Sequence, residues 1–141
     1  MSEFSAFFAQ AAAIETTEDC VVSKRFKDKD GKPIPWKLRS ITEEENQELR
    51  KAATKKVKGR NGMYNPEFDS NDYLAKMVGA SVVYPNLKDS ELQKSYGVRG
   101  AEALLRKMLL PGEFTALMER VQALNGYDQE DLNELVDEVK N

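Results

Sequence analysis

From residue 70 onward apolar residues recur at helical spacing, but proline and glycine cut the pattern before any segment grows long. Tyr73, Leu74, Met77, Val78 and Val82 predict one helix face that ends before Pro85. Asp89-Ser90 starts a short helix that reaches Tyr96 and closes at Gly97. Residues 100–110 offer Leu104, Leu105, Met108 and Leu109 for burial. Pro111-Gly112 breaks the chain and opens another helix, which presents Phe114, Leu117, Met118, Val121 and Leu124 and stops at Asn125-Gly126. Asp128 caps a last predicted helix with Leu132, Leu135, Val136 and Val139 on one face. Short stripes joined by short connections bury themselves best against each other, so the expectation is a compact bundle of antiparallel helices.

The first half reads differently. Phe4, Phe7, Phe8, Ala11 and Ile14 fall at helical spacing over residues 3–14, and Glu15-Thr16-Thr17-Glu18-Asp19 is a polar break. Residues 20–26 and 34–39 predict a hairpin, because Ile34, Trp36 and Leu38 alternate with Pro35, Lys37 and Arg39 and the connection holds Asp30-Gly31. Asp28-Lys29-Asp30-Gly31 lacks the further acidic ligands of a calcium loop and is read as the turn. Thr42 and Glu45 form a capping-box pattern for a helix running to about Lys55 or Lys56. The predicted fold class is therefore mainly α with a small β-hairpin (α+β): the bundle, plus an N-terminal helix and the hairpin. The predicted organisation is a single domain over 1–141. A hairpin-plus-helix half spans 1–58, a flexible loop 59–69, and a helical half 70–141.

Histidine is absent, which removes the commonest general base and metal ligand, and the single Cys20 has no partner for a disulfide or a zinc site. No catalytic, cofactor-binding or metal-binding residue is predicted, and no glycine-rich phosphate loop is present. No apolar run reaches the length of a membrane span, and the acidic Met1-Ser2-Glu3-Phe4 start does not resemble a signal peptide. With one cysteine, an intracellular setting is the simple expectation.

Charge is segregated. Residues 24–60 carry thirteen bases and six acids, whereas residues 113–141 carry two bases and eight acids. Opposite ends of this kind suggest self-complementary packing or a homo-oligomer. Arg50, Lys51, Lys55, Lys56, Lys58 and Arg60 crowd into eleven positions. A phosphate-binding patch is one reading. A solvated helix end is favoured, because no aromatic residue is interleaved in the run and the whole chain is acidic. Phe4, Phe7 and Phe8 either dock on the protein's own core or pack against a second protein.

The order and spacing of several pieces resemble the XkdN-like family of phage tail assembly chaperones. They are the aromatic N-terminal segment, Ser23-Lys24-Arg25-Phe26-Lys27-Asp28, Gly31, Trp36, Ile41-Thr42-Glu43-Glu44-Glu45, Tyr84-Pro85-Asn86-Leu87, Tyr96-Gly97-Val98 and Leu110-Pro111-Gly112-Glu113-Phe114. The resemblance covers roughly residues 3–127. It implies a non-catalytic protein of the bacterial host cytoplasm that binds the tape measure protein, keeps it soluble, helps tail tube protein assemble around it, and is absent from the finished virion. Phe4, Phe7, Phe8, Leu132, Leu135, Val136 and Val139 are the predicted client-binding residues, because a chaperone for apolar helices needs apolar faces ringed by charge. The alternatives are a structural tail component and, more weakly, a nucleic-acid-binding adaptor using residues 50–60.

Overall fold

The computed structural model describes residues 3–10, 12 and 15–127. Strand β1 (Thr17–Cys20) runs antiparallel to β2 (Trp36–Arg39), and β2 pairs in turn with β5 (Val82–Tyr84), giving a three-stranded sheet ordered β1-β2-β5. Helix α1 (Glu43–Ala52) leads into a second sheet, the hairpin of β3 (Thr54–Lys58) and β4 (Tyr64–Phe68). Helix α2 (Ser70–Ser81) follows it, and after β5 come α3 (Ser90–Ser95), α4 (Ala101–Met108) and α5 (Pro111–Leu124).

These two antiparallel sheets overturn the expected helical bundle: the chain is α+β, with helices packed around and beside strands. Three local readings change with it. The strand that pairs with β2 is Thr17–Cys20, three residues of the supposed polar break and only the first residue of the strand expected over 20–26. The helix expected to reach Lys55 or Lys56 ends at Ala52, residues 54–58 form a strand, and the supposed flexible loop contains β4. Val82 belongs to a strand and not to the face of α2. In each case strand pairing, with a distant segment for β1 and β5 and with the next strand for β3 and β4, outweighs local composition, as sheet propensity is largely a matter of neighbours.

Where local chemistry is strong it prevails. Thr42 Oγ1 accepts from the Glu45 amide at 3.2 Å and the Thr42 amide donates to the Glu45 carboxylate at 3.3 Å, the reciprocal capping box that starts α1. The same carboxylate receives both guanidinium nitrogens of Arg39, at 3.2 and 2.7 Å, tying β2 to the helix. Asp69 and Asp89 cap α2 and α3 through Asp72 N and Leu92 N. The turn at Asp28-Lys29-Asp30-Gly31 forms, with Gly31 at φ +81°, while Asp28 Oδ1 accepts from the Asp30 and Lys32 amides.

The core is one cluster. Trp36 and Leu38 project from one face of β2 and join Met77 and Val78 of α2, Leu104 and Leu105 of α4, and Leu117 and Val121 of α5. Asn125, just past α5, locks the far end. Its Oδ1 accepts from the Ile41 amide at 2.7 Å, and its Nδ2 donates to Val121 O at 2.9 Å and approaches Ser81 Oγ at 3.4 Å. Lys76 of α2 reaches Asp72 and Glu102, which raises its pKa, chiefly through the Glu102 hydrogen bond.

Arg25 closes the opposite end. Its guanidinium donates to Met108 O at 2.8 Å and to Glu113 Oε1 at 2.5 Å. Glu113 also accepts from the Leu110 amide at 2.8 Å, capping α5. Arg25 first, then Ser23 and the Leu110 amide, lower the Glu113 pKa to about 2. A depressed carboxylate contributes stability that is present above its unfolded pKa, near 4.5, and lost as pH falls towards 2. Urea midpoints measured across that window should fall more steeply for the native chain than for Glu113→Gln, and parallel profiles would sink the assignment.

Candidate interaction surface

Helix α1 stops at Ala52, and Thr54 turns its hydroxyl back to Arg50 O at 2.8 Å. The chain then runs outward as Lys55-Lys56-Val57-Lys58. It reverses through Gly59 and Gly62, where Gly59 N donates to Met63 O at 2.8 Å and Gly62 sits at φ +79°. It returns as Tyr64-Asn65-Pro66-Glu67-Phe68, and the Asp69 amide donates to Ala53 O at 2.9 Å to close the base. Every residue of both strands is exposed.

The register sorts this hairpin into two faces, because alternate residues share a side and cross-strand partners face together. Thr54 pairs with Phe68, Lys56 with Pro66 and Lys58 with Tyr64, so these six share one face. Lys55, Val57, Asn65 and Glu67 occupy the other. Aromatic rings therefore do flank the lysines, although none lies within the basic run itself. The legible signal was a glycine-bearing tetrapeptide between two potential strands.

The first face continues into the body. The Phe68 ring meets the Tyr73 ring at 5.5 Å between centroids, and the Arg50 guanidinium lies over both, at 5.6 and 5.0 Å. Tyr73 is buried; its hydroxyl donates to Asn46 Oδ1, and Asn46 Nδ2 donates to Glu43 Oε1 at 2.7 Å. Burial first, and the Tyr127 hydroxyl next, raise the Tyr73 pKa. Tyr127 and Gln122 border a cleft of about 400 Å³ with Arg50, Tyr73, Leu74 and Met77.

The N-terminal phenylalanines form a second apolar patch. Residues 5–7 make a single 3-10 turn, and the Ala12 amide donates to Phe8 O at 2.9 Å, in place of the described part of the helix expected over 3–14. Phe4, Phe7 and Phe8 are 60%, 78% and 48% exposed. Leu132, Leu135, Val136 and Val139 lie outside the described residues, as does the helix expected at Asp128. The basic cluster is divided between the last turn of α1 (Arg50, Lys51), strand β3 (Lys55, Lys56, Lys58) and the hairpin turn (Arg60).

Among the described residues no group of three acidic, histidine or cysteine side chains comes together as a metal site, and no helix is long and apolar enough to cross a membrane. An apolar cleft of about 190 Å³ opens between the first sheet and α3–α4, lined by Phe26, Trp36, Tyr84, Pro85, Tyr96 and Met108 among others.

Comparison with known proteins places this architecture. The profile of the phage XkdN-like tail assembly chaperone proteins matches residues 4–140. An uncharacterized protein YqbN of Bacillus subtilis is 34% identical over 139 residues, spanning 96% of this chain and 91% of the relative. The phage-like element PBSX protein XkdN of Bacillus subtilis is 34% identical over the same length, spanning 96% and 92%. The crystal structure of the protein YqbN superposes with a TM-score of 0.76 at 25% identity, covering 91% of this chain and 99% of that one. A match across nearly the whole length, in sequence and in fold, decides the question: the chain belongs to the XkdN-like phage tail assembly chaperones, a family whose role is assembly and not catalysis.

Proposed function

We propose that this protein binds the tape measure protein of its phage tail, keeps that client soluble and assists assembly of tail tube protein around it, without a chemical step. The observation that carries the reading is the exposure of three phenylalanines, Phe4, Phe7 and Phe8, close together in the N-terminal segment and outside the buried core. Clustered phenylalanines left in water mark a contact site for another apolar surface. Leu132, Leu135, Val136 and Val139 supply a second apolar stripe by their spacing. The protein acts in the host cytoplasm, leaves when tube protein competes for the client, and is absent from the finished tail. Its segregated charge supports a homo-oligomer.

Co-expression of a tagged chain with the tape measure protein encoded alongside it tests this. The expected result is a soluble complex, with the tape measure insoluble when made alone. A tape measure that stays insoluble while this chain purifies by itself would overturn the reading. Recovery of the chain as a fixed component of purified tails would replace it with a structural role.

A further inference from the structure

We propose that the open face of the β3–β4 hairpin is a docking surface for one kind of partner, an amphipathic helix with an acidic stripe beside an apolar one. The register lays two unlike rows side by side. Along β3 the face shows Thr54, Lys56 and Lys58, and along β4 it shows Phe68, Pro66 and Tyr64. A cationic row therefore runs next to an apolar row, about 4.8 Å away across the ladder. No carboxylate shares the face, because Glu67 belongs to the other side. All six residues are exposed, and Tyr64 and Phe68 keep 66% and 43% of their surface in water. A two-stranded sheet with no covered face is marginal on its own in water, so this arm gains from a partner laid across it.

Dimensions and edges select the partner. Lys56 and Lys58 are two strand residues apart, about 6.8 Å, close to the rise of about 6 Å between positions i and i+4 of a helix. Carboxylates at that helical spacing meet both lysines while the neighbouring stripe of the same helix covers Tyr64 and Phe68. A five-residue strand is about 17 Å long, which about three turns of helix span. At the base of the hairpin Arg50 lies over Phe68 and adds a further cation, and Leu74 and Met77 line the adjoining cleft of about 400 Å³. Pro66 has no amide to donate, which disfavours a further strand beside β4 and leaves the face as the surface to cover. Single-stranded nucleic acid fits less well. Phe68 spends its ring on Tyr73 and Arg50, and Pro66 interrupts the row, so the run of open rings on which bases stack is missing. We take the helix to come from the tape measure client, so its identity, though not the surface, rests on the reading proposed above.

Amide shifts of the isotope-labelled full chain test the surface. The probe is a synthetic peptide of about 18 residues, long enough to hold a helix, with glutamates at i and i+4 beside a leucine stripe. Its lysine twin, in which every glutamate is replaced, and an oligo(dT) strand are the controls. The acidic peptide is expected to shift the amides of residues 54–68 saturably, and the controls are not. Lys56→Glu with Lys58→Glu should weaken the acidic peptide about fivefold, the yield of two exposed ion pairs, and let the lysine twin bind. Salt at 1 M, where the screening length is about 3 Å, should weaken the native chain's binding in the same direction. Both lysines are exposed, so the charge reversal should leave the melting temperature in place. No saturable shift at the hairpin, shifts indifferent to charge and salt, or equal binding of oligo(dT) would overturn the proposal. Co-expression with the tape measure protein is read beside it. Peptide binding without client capture would keep the surface and remove the client as its partner. Client capture with a hairpin silent to the peptide would keep the client reading and remove the surface.

Discussion

Trp36→Ala is expected to lower stability by about 3–5 kcal/mol. A domain of this kind holds about 5–15 kcal/mol in all, so much of its stability is at stake. At a urea slope of about 2 kcal/mol/M the midpoint should fall by roughly 2 M, with the slope itself unchanged. The size follows from the site. Trp36 is 2% exposed, projects from the same face of β2 as Leu38, and lies 6.1 Å from the Phe26 ring. It borders the apolar cleft of about 190 Å³, so truncation enlarges a void that already exists. The walls are a paired strand on one side and α4 on the other, both packed against the rest of the core, so they relax only partly into the space left behind. Trp36→Phe, which keeps an aromatic ring in place, should lose clearly less. A Trp36→Ala chain with an unshifted midpoint would show that this wall of the core is not packed as described.

Phe4→Ala combined with Phe7→Ala is expected to do the reverse: leave the melting temperature in place and abolish client capture. Both rings are mostly exposed, and substitutions at such positions usually stay within about 0.5 kcal/mol of neutral. At a binding interface the same rings are anchors. Losing about 2 kcal/mol at one of them weakens a complex about 30-fold, and losing both carries it beyond ordinary co-purification. Thermal melts beside pull-downs of the tape measure protein read the two effects separately. Unchanged capture would remove the N-terminal patch from the binding surface. A large drop in melting temperature would instead return these rings to the core of the protein.

The two halves of the chain differ in how much of them local sequence reveals. From Ser70 to Gly126 the helices begin and end close to where caps and breakers place them. Asp69 and Asp89 cap, Pro111 opens α5, and Gly97 and Gly126 take φ +68° and +90° after α3 and α5. Such signals act within four residues of themselves, so they can be read without a fold. The segment Thr17-Glu18-Asp19-Cys20 has no such mark. It is a strand because Trp36–Arg39 lies beside it, and its composition alone argues for a break. The interaction surface divides the same way. The phenylalanine cluster stands out in the sequence, whereas the grouping of Lys56 and Lys58 with Tyr64 and Phe68 exists only once β3 and β4 pair.

By itself, the sequence determined the absence of histidine chemistry, the segregation of charge, the helix starts between Asp69 and Pro111, the turn at Gly31 and the family to which the chain belongs. These follow from residue identity and from interactions that span one turn of backbone. Tertiary structure alone decided that two antiparallel sheets replace a bundle, that Val82–Tyr84 closes the first sheet against β2, and that Arg50 lies over Phe68 and Tyr73. The physical reason is that a strand draws its hydrogen bonds from residues distant in the chain. Val82 and Leu38 become neighbours only when the core between α2, α4 and α5 brings them together.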